Sequence, residues 1–315
     1  MLEGIVVKST GSWYSVRIGE ETIPCRIIGK FRLGKHKLTN PVAVGDRVLV
    51  EKEEQEENTG TIRKILERSN YVLRQSPRQK HNMHLMAANI DQALLLVTLR
   101  EPELKPGFID RYLLMTETHD IPMIIAFNKI DIYTDEDMNR LEHFESIYTQ
   151  IGYQTMRISA LTGDGISNLR DSLEGKRTLV SGQSGVGKSS VLNALDPSLQ
   201  LMEGSLSDYS GKGQHTTTFA EMYFLKEDIE IIDTPGIKTL SFNNMEVQDV
   251  AHNFREFFEY SSQCRFYNCT HQNEPHCAVK KAVVEGVISE VRYQNYLAII
   301  GEIEDQNYWE RHKDY

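Results

Sequence analysis

Apolar and polar residues alternate in short runs through residues 1–70, and turn residues separate the runs. Alternation with a period of two is typical of β-strands that bury one face. Five such runs follow one another: GIVV, WYSVRIG, TIPCRIIG, VGDRVLVE and TGTIRKILE. Five short strands predict a small barrel of the OB type, and we assign residues 1–70 to an OB-fold domain.

The pattern changes over residues 71–242, where continuous apolar runs alternate with helical stretches. Unbroken apolar runs are typical of parallel strands buried on both faces in an α/β domain. The predicted strands span residues 91–98, 123–127, 155–158, 177–181, 220–225 and 229–233.

Residues 243–315 have a helical pattern, with two apolar stripes that we predict to face a core. The stripes consist of Phe254, Phe257 and Phe258, and of Val279, Val283, Val287 and Val291. Three of the four cysteines lie between the stripes, and such clustering in a chain without a secretion signal favours metal binding over disulfides. The fourth, Cys25, is predicted to pack as a small apolar residue.

The composition, with 40% apolar and 25% charged residues, is that of a globular protein. The N-terminus lacks the basic and apolar regions of a signal peptide, and the apolar runs are too short to cross a bilayer. We therefore expect a soluble cytoplasmic protein with no membrane partner.

The formal net charge of −10 argues against a protein that coats nucleic acid through overall attraction. Residues 1–50 nevertheless hold eight Lys or Arg against four acids. The basic segment 29–37, GKFRLGKHK, predicts a loop that contacts nucleic acid, as loops of OB barrels often do. A solubilising loop on a docking domain is the alternative. The acidic run over residues 51–57 is interpreted as a solvated hairpin tip.

A phosphate-binding pattern, G-x-x-x-x-G-K-[ST], occurs between a predicted strand and a predicted helix. In such a P-loop the backbone N–H groups turn toward the phosphates, the lysine reaches the β- and γ-oxygens, and the serine hydroxyl coordinates Mg²⁺. The predicted phosphate-binding residues are Gly182, Gln183, Ser184, Gly185, Val186, Gly187, Lys188, Ser189 and Ser190.

Two further elements predict that the base is guanine. An N-K-x-D sequence follows the predicted strand 123–127, and its carboxylate at Asp131 accepts both donors on the guanine edge, whereas adenine presents an acceptor there. The next strand is followed by a tripeptide resembling the element that gives backbone N–H groups to the base oxygen. The predicted base-binding residues are Asn128, Lys129, Ile130, Asp131, Ser159 and Ala160. A P-loop ATPase or nucleotide kinase is the disfavoured alternative.

A D-x-x-G element, DTPG, follows the predicted strand 229–233. Asp233 is predicted to hold Mg²⁺ through water, and the N–H group of Gly236 to face the γ-phosphate. A run of three threonines lies where GTPases carry the switch I threonine, and we assign Mg²⁺ coordination to Thr217 together with Ser189.

These elements stand in a rotated order, because the guanine elements precede the P-loop instead of following D-x-x-G. The chain resembles the RsgA/YjeQ family, the bacterial circularly permuted GTPases of small-ribosomal-subunit assembly. The matching stretches are VGDRV, ANIDQ, IDRYL, NKID, GQSGVGKSS, GQHTTT, DTPG and CRFYNCTHQNEPHCAV. The resemblance covers essentially the whole chain. It implies an α/β fold: an OB-fold barrel at 1–70, a permuted P-loop GTPase domain at 71–242 and a helical zinc-binding domain at 243–315.

The resemblance also implies a Mg²⁺-dependent GTPase that acts on the small ribosomal subunit and its rRNA, and we expect a monomer. Ile237 occupies the position of the glutamine that orients water in Ras-like GTPases, so slow intrinsic hydrolysis is expected. The family pattern points to His215 as the catalytic residue used on the ribosome. A histidine that only shapes switch I is the alternative. An RNA-docking scaffold that senses nucleotide without needing hydrolysis is an alternative of another class.

Three cysteines and a histidine form the ligand set of a closed, structural zinc site, and they are Cys264, Cys269, His271 and Cys277. The family motif places the histidine ligand at His271. The chain departs from the family at His276, where glycine commonly precedes the last cysteine, and this creates a rival imidazole. Reduced cysteines without a metal are the remaining alternative.

Overall fold

The computed structural model describes residues 1–10, 12–28, 40–53, 58–75, 83–202, 220–234, 242 and 245–311. The strands are β1 Leu2–Ser9, β2 Tyr14–Ile18, β3 Glu21–Ile27, β4 Arg47–Lys52, β5 Gly60–Ile65, β6 Tyr71–Gln75, β7 Met83–Ala88, β8 Gln92–Val97, β9 Met123–Phe127, β10 Gln154–Arg157, β11 Arg177–Gly182, β12 Glu221–Phe224 and β13 Glu230–Asp233. The α-helices are α1 Phe108–Glu117, α2 Asp135–Gln150, α3 Ile166–Leu173, α4 Lys188–Leu195, α5 Val247–His252, α6 Arg255–Ser261, α7 Ala278–Val284 and α8 Glu290–Arg311. None of the helices in these ranges is long and apolar enough to span a membrane.

The first five strands form the predicted barrel. β1 pairs with both β2 and β4, and β3 pairs with β5, so that the small sheet closes on itself. Alternate side chains of these strands fill its interior, as period-two alternation requires. Cys25 is fully buried there, as predicted, and burial raises the pKa of its thiol to about 11. The thiol is therefore protonated and unreactive near neutral pH.

The predicted GTPase domain contains a six-stranded sheet in the order β10-β9-β8-β11-β13-β12. All neighbours are parallel except β12 and β13. Each buried strand packs against an apolar core on both faces of the sheet. In β8, Leu94 and Leu96 face helices α3 and α4. Ala93, Leu95 and Val97 face α1 and α2 on the opposite side. Double burial explains why these strands read as continuous apolar runs.

The barrel and the GTPase sheet are one continuous set of hydrogen-bonded strands, a feature that the sequence did not predict. β1 pairs antiparallel with β12, with Lys8 opposite Glu221. The side chains of these two residues form an ion pair at 2.9 Å, and the guanidinium of Arg17 lies 4.0 Å from the centroid of the Phe224 ring. The barrel is therefore attached to the outer strand of the GTPase sheet.

A second contact runs through the β6–β7 hairpin, which we also did not predict. Gly45 of the barrel approaches the end of β7 so closely that a Cβ atom there would lie 2.1 Å from the carbonyl oxygen of Ala88. Its φ of +92° also favours glycine. Asn89 donates from its side chain to the carbonyl oxygen of Gly45 at 2.9 Å.

The C-terminal residues are helical, as predicted, but the two apolar stripes are only partly right. Phe254, Phe257 and Val279 are buried, whereas Phe258 is 60% exposed, Val287 57% and Val291 38%. The second stripe fails because α7 ends at Val284 and α8 begins only at Glu290, with Gly286 at positive φ between them. The 3.6-residue periodicity does not continue across such a break.

Candidate nucleotide site and metal centre

The sequence elements predicted to bind nucleotide meet at one edge of the GTPase sheet. The N-K-x-D element follows β9, the Ser159 element follows β10, the P-loop follows β11, and Asp233 ends β13. These four strands are parallel, so their carboxyl ends lie side by side. This edge is where open α/β sheets bind ligands.

The P-loop has the backbone conformation that phosphate cradling needs. Gly185 and Gly187 have φ of +85° and +91°, a region that other residues rarely adopt. Gly187 caps α4, whose first residue is Lys188. At Gly182 a Cβ atom would lie 2.5 Å from the carbonyl oxygen of Leu96, so glycine is also required where the loop crosses the neighbouring strand.

Asn128 joins the predicted base-binding and phosphate-binding halves of the site. Its buried side-chain amide donates to the carbonyl oxygen of Val186 at 2.8 Å and accepts from the N–H group of Ala160 at 3.2 Å. A Cβ atom on Gly187 would lie 2.6 Å from the same amide nitrogen. One side chain thus connects the N-K-x-D element, the P-loop and the element after β10.

The two other polar side chains of N-K-x-D, those of Lys129 and Asp131, also form hydrogen bonds within the protein. The hydroxyl of Ser159 donates to a carboxylate oxygen of Asp131. The ammonium group of Lys129 donates to the carbonyl oxygen of Glu101. Burial lowers the pKa of Lys129, although the carboxylates of Glu101 and Asp131 oppose this shift.

Tyr133 is a supporting residue that sequence reasoning missed. Its hydroxyl accepts from the N–H group of Leu99 at 2.7 Å and donates to the carbonyl oxygen of Asn128 at 3.1 Å. Burial raises the pKa of Tyr133 to about 12, so the hydroxyl keeps the proton that it donates. A tyrosine just past the motif carries no local signal of this role, because its partners are set by the tertiary fold.

The phosphate side of the site contains the donors expected for Mg²⁺. Ser189 lies in the first turn of α4, and the Asp233 carboxylate is 3% exposed. Burial lowers the pKa of Lys188, and the nearby charge of Asp233 opposes this shift, so the two side chains are electrostatically coupled. A hydroxyl and a carboxylate are hard oxygen donors of the kind that Mg²⁺ prefers, and the residues present fit that ion.

Several predicted residues lie outside the described part of the chain. They are Thr217, Gly236, Ile237, the candidate catalytic residue His215 and the basic segment 29–37.

The predicted metal ligands come together in the C-terminal domain. One donor atom from each of Cys264, Cys269, His271 and Cys277 lies within 4.8 Å of the others. The Cys264 sulfur is 3.9 Å from the Cys277 sulfur, and Nδ1 of His271 is 3.7 Å from the first and 3.4 Å from the second. Donors of a tetrahedral zinc site with ~2.3 Å bonds are roughly 3.8 Å apart, so the group has the size for a tetrahedral metal. His276 is exposed and outside this group.

The surrounding chain is arranged to hold this cluster. Backbone N–H groups of Ala278 and Lys280 point to the sulfurs of Cys264 and Cys277, contacts that favour thiolates. The hydroxyl of Tyr293 donates to the carbonyl oxygen of the buried His271. The cluster could therefore hold a metal ion without an open coordination position for substrate.

The fold, the strand-end motifs and their rotated order define a circularly permuted P-loop GTPase. A family model described as RsgA GTPase matches residues 65–243, and one described as RsgA N-terminal domain matches residues 3–62. The chain therefore belongs to the RsgA family of GTPases, and it is an enzyme of the GTP-hydrolysing class.

Known proteins resemble the chain over nearly its whole length. A Bacteroides fragilis protein named small ribosomal subunit biogenesis GTPase RsgA is 46% identical over 308 residues, which cover 98% of this chain and 99% of that protein. A Flavobacterium psychrophilum protein of the same name is 45% identical, over 98% of this chain and 94% of its own.

Solved structures give the same result. YjeQ from Thermotoga maritima superposes with a TM-score of 0.75 and 35% identity, over 96% of this chain and 98% of its own. YloQ, described as a circularly permuted GTPase, superposes with a TM-score of 0.72 and 30% identity, over 97% of this chain and 96% of its own.

Proposed function

We propose that this protein binds the small ribosomal subunit and promotes its late maturation, hydrolysing GTP to GDP and phosphate with stimulation by the subunit. The observation that carries the proposal is the rotated set of guanine-nucleotide motifs at one sheet edge, in a chain whose relatives are named for small-subunit biogenesis. An RNA-docking scaffold that needs no hydrolysis is the second candidate, favoured by Ile237 in place of the water-orienting glutamine.

In this proposal the base and the phosphates are bound by different parts of the sheet edge. Asp131 accepts the guanine donors with the carboxylate that Ser159 orients, and the Ala160 element faces the base oxygen. The residues 182–190 wrap the phosphates, with Lys188 at the β- and γ-oxygens. Ser189, Thr217 and Asp233 would hold Mg²⁺, which when bound neutralises charge on the phosphates.

Hydrolysis is proposed to be slow until the subunit is bound. Ile237 has no group that can orient water, and His215 lies in the segment between the P-loop and D-x-x-G. We propose that His215 acts on the γ-phosphate side only in the complex. A positioning or acid–base side chain is typically worth about 10²–10⁴-fold in rate.

The metal of the C-terminal cluster is proposed to be one structural zinc ion. Three thiolates and one imidazole at the observed spacing match zinc, and four protein ligands leave no site for catalysis. We further propose that the three domains divide at 1–70, 71–242 and 243–315, that the barrel contacts rRNA, and that the protein works as a cytoplasmic monomer.

The deciding experiment is GTP turnover measured against increasing amounts of purified small and large ribosomal subunits separately. We expect the small subunit to stimulate GTP turnover and the large subunit to leave it unchanged. The protein is used at less than one copy per subunit. Full GTP-dependent binding to the small subunit without any gain in turnover would instead support the scaffold.

The same assay tests His215. We expect His215→Ala to lower stimulated turnover about 10²–10⁴-fold and to leave basal turnover and GTP affinity nearly unchanged. Lys188→Ala is the contrasting variant, because its phosphate contacts do not depend on the subunit and both rates should fall together. Full stimulation of turnover in His215→Ala would mean that a group other than His215 activates hydrolysis.

A further inference from the structure

A buried charge cluster joins the C-terminal domain to the GTPase domain. The guanidinium of Arg292 in α8 donates two hydrogen bonds to Glu256 of α6, at 2.7 and 2.9 Å, and a third to Asp110 of α1 at 2.7 Å. Asp110 also accepts from the hydroxyl of Tyr148 in α2 and from the side-chain amide of Asn295 in α8. Arg292 is 2% exposed and Asp110 0%, so water cannot replace a lost partner.

Low exposure makes this cluster rigid. Each buried charge is stable only while its partners stay in hydrogen-bonding geometry, so a small displacement of one helix is costly. The cluster therefore holds α1 and α8 in one relative position. It does so at the beginning of α1, because Asp110 lies in the first turn of that helix.

The beginning of α1 is also the end of the loop that supports the guanine-recognition element. Gly107 caps α1, and a Cβ atom there would lie 3.3 Å from the side-chain oxygen of Asn295. The loop over residues 98–107 runs from the end of β8 to this cap. Asn295 thus lies beside the cap and donates a hydrogen bond to Asp110 in the first turn.

The other end of the same loop holds two residues of the N-K-x-D region. The carbonyl oxygen of Glu101 accepts from the ammonium group of Lys129, and the N–H group of Leu99 donates to the hydroxyl of Tyr133, which in turn donates to the carbonyl oxygen of Asn128. Hydrogen bonds at one end of the loop over residues 98–107 and close packing at its other end therefore connect α8 to the N-K-x-D backbone.

We propose that Asn295 and Asp110, with Arg292, are positioning residues for guanine recognition. They hold the cap of α1 in place, and the cap fixes one end of the loop over residues 98–107. The other end of this loop contacts Lys129 and, through Tyr133, the backbone of Asn128, so these groups are held in place as well. The C-terminal domain thereby controls guanine preference from the base side of the site. This inference rests on the proposed role of residues 128–131 in binding the base.

The test compares GDP with IDP, which lacks the exocyclic amino group that Asp131 is proposed to bind. Dissociation constants for both nucleotides are measured by isothermal titration on the full-length protein and on Asp110→Asn and Asn295→Ala. We expect GDP affinity to fall about threefold to tenfold, with a smaller loss for IDP, so that the preference for GDP narrows. Asn295→Ala removes only a partly buried amide and carries the test if Asp110→Asn does not fold.

The matched control is Glu117→Gln, at the other end of α1. Glu117 pairs with Arg255 of α6 at 2.8 Å, so the variant weakens the same domain contact far from the loop. We expect lower thermal stability with unchanged GDP and IDP affinities. An unchanged GDP preference in Asp110→Asn and Asn295→Ala, with or without lower stability, would overturn the inference. A wild-type protein that binds GDP and IDP equally would overturn the guanine assignment as well.

Discussion

The two domains that flank the GTPase sheet are attached by opposite physical means. The barrel adds a strand to the outer edge of the sheet, and the side chains at that contact are open to water: Lys8 is 39% exposed and Glu221 32%. The C-terminal domain is attached through Arg292, Asp110 and Glu256, which are almost fully buried. Backbone pairing tolerates the loss of one side chain, whereas a buried charge cluster does not.

The largest expected effect is that of removing the zinc ion proposed for the C-terminal domain. Zinc binding in small zinc domains supplies about 10–16 kcal/mol of apparent binding free energy, far more than one protein contact. We expect a chelator, or Cys269→Ser, to loosen residues 245–311, detected as rapid limited proteolysis there, while the GTPase domain still binds nucleotide.

Metal analysis provides the control for this prediction. We expect one zinc per chain in protein purified under reducing conditions, and the same content in Cys25→Ser, since Cys25 lies in the barrel core. Protein without zinc, or one whose C-terminal domain resists proteolysis after chelation, would contradict a structural zinc site.

The next effect in size is that of breaking the buried cluster. Arg292→Met leaves Asp110 and Glu256 as buried carboxylates without their cation, and removal of one partner from a buried pair costs about 3–5 kcal/mol. Urea denaturation followed by circular dichroism measures this loss. The triple variant with Asp110→Asn and Glu256→Gln should recover much of it, because no unpaired charge is then left.

The chain's local patterns were enough to predict the barrel strands, the buried parallel strands and the four motifs at their ends. Each of these depends on residues that are close in sequence, such as the glycines of 182–187 or the apolar run 123–127. The grouping of Cys264, Cys269, His271 and Cys277 was also foreseen, because three clustered cysteines suggest a metal site and the family resemblance adds His271.

Contacts between distant segments were not predictable in this way. The pairing of β1 with β12 and the meeting of Asp110 with Arg292 join residues more than 180 positions apart. Nothing in the local sequence marks Arg292 as a buried residue, because arginine is usually exposed. Val287 and Val291 were wrongly assigned to the core because the helical periodicity breaks between α7 and α8, and Phe258 of α6 was also wrongly assigned, since it is 60% exposed.

A backbone clash at the barrel attachment should have a somewhat smaller effect than the loss of Arg292. Gly45→Ala adds a methyl group that would meet the carbonyl oxygen of Ala88, at a φ that L-residues avoid. We expect a loss of about 2–4 kcal/mol in unfolding free energy. Gly19→Ala is the matched control: Gly19 also has positive φ, but nothing lies within 4 Å of an added Cβ, so only the backbone cost remains. Equal losses in both variants would mean that the Gly45 contact does not hold the barrel in place.

The smallest effect is expected at the ion pair between the barrel and β12. Lys8 and Glu221 are 2.9 Å apart and partly exposed, so a double-mutant cycle of Lys8→Ala and Glu221→Ala should give a coupling of about 0.2–1 kcal/mol that weakens with added salt. The pair between Arg47 and Glu3, which joins two strands within the barrel, is the matched control and should behave alike. If the barrel is held mainly by backbone pairing, the pair of Lys8 and Glu221 is a small addition to an attachment that survives without it. A coupling at Lys8 and Glu221 well above that of the control would show that this attachment, like the C-terminal one, depends on charge.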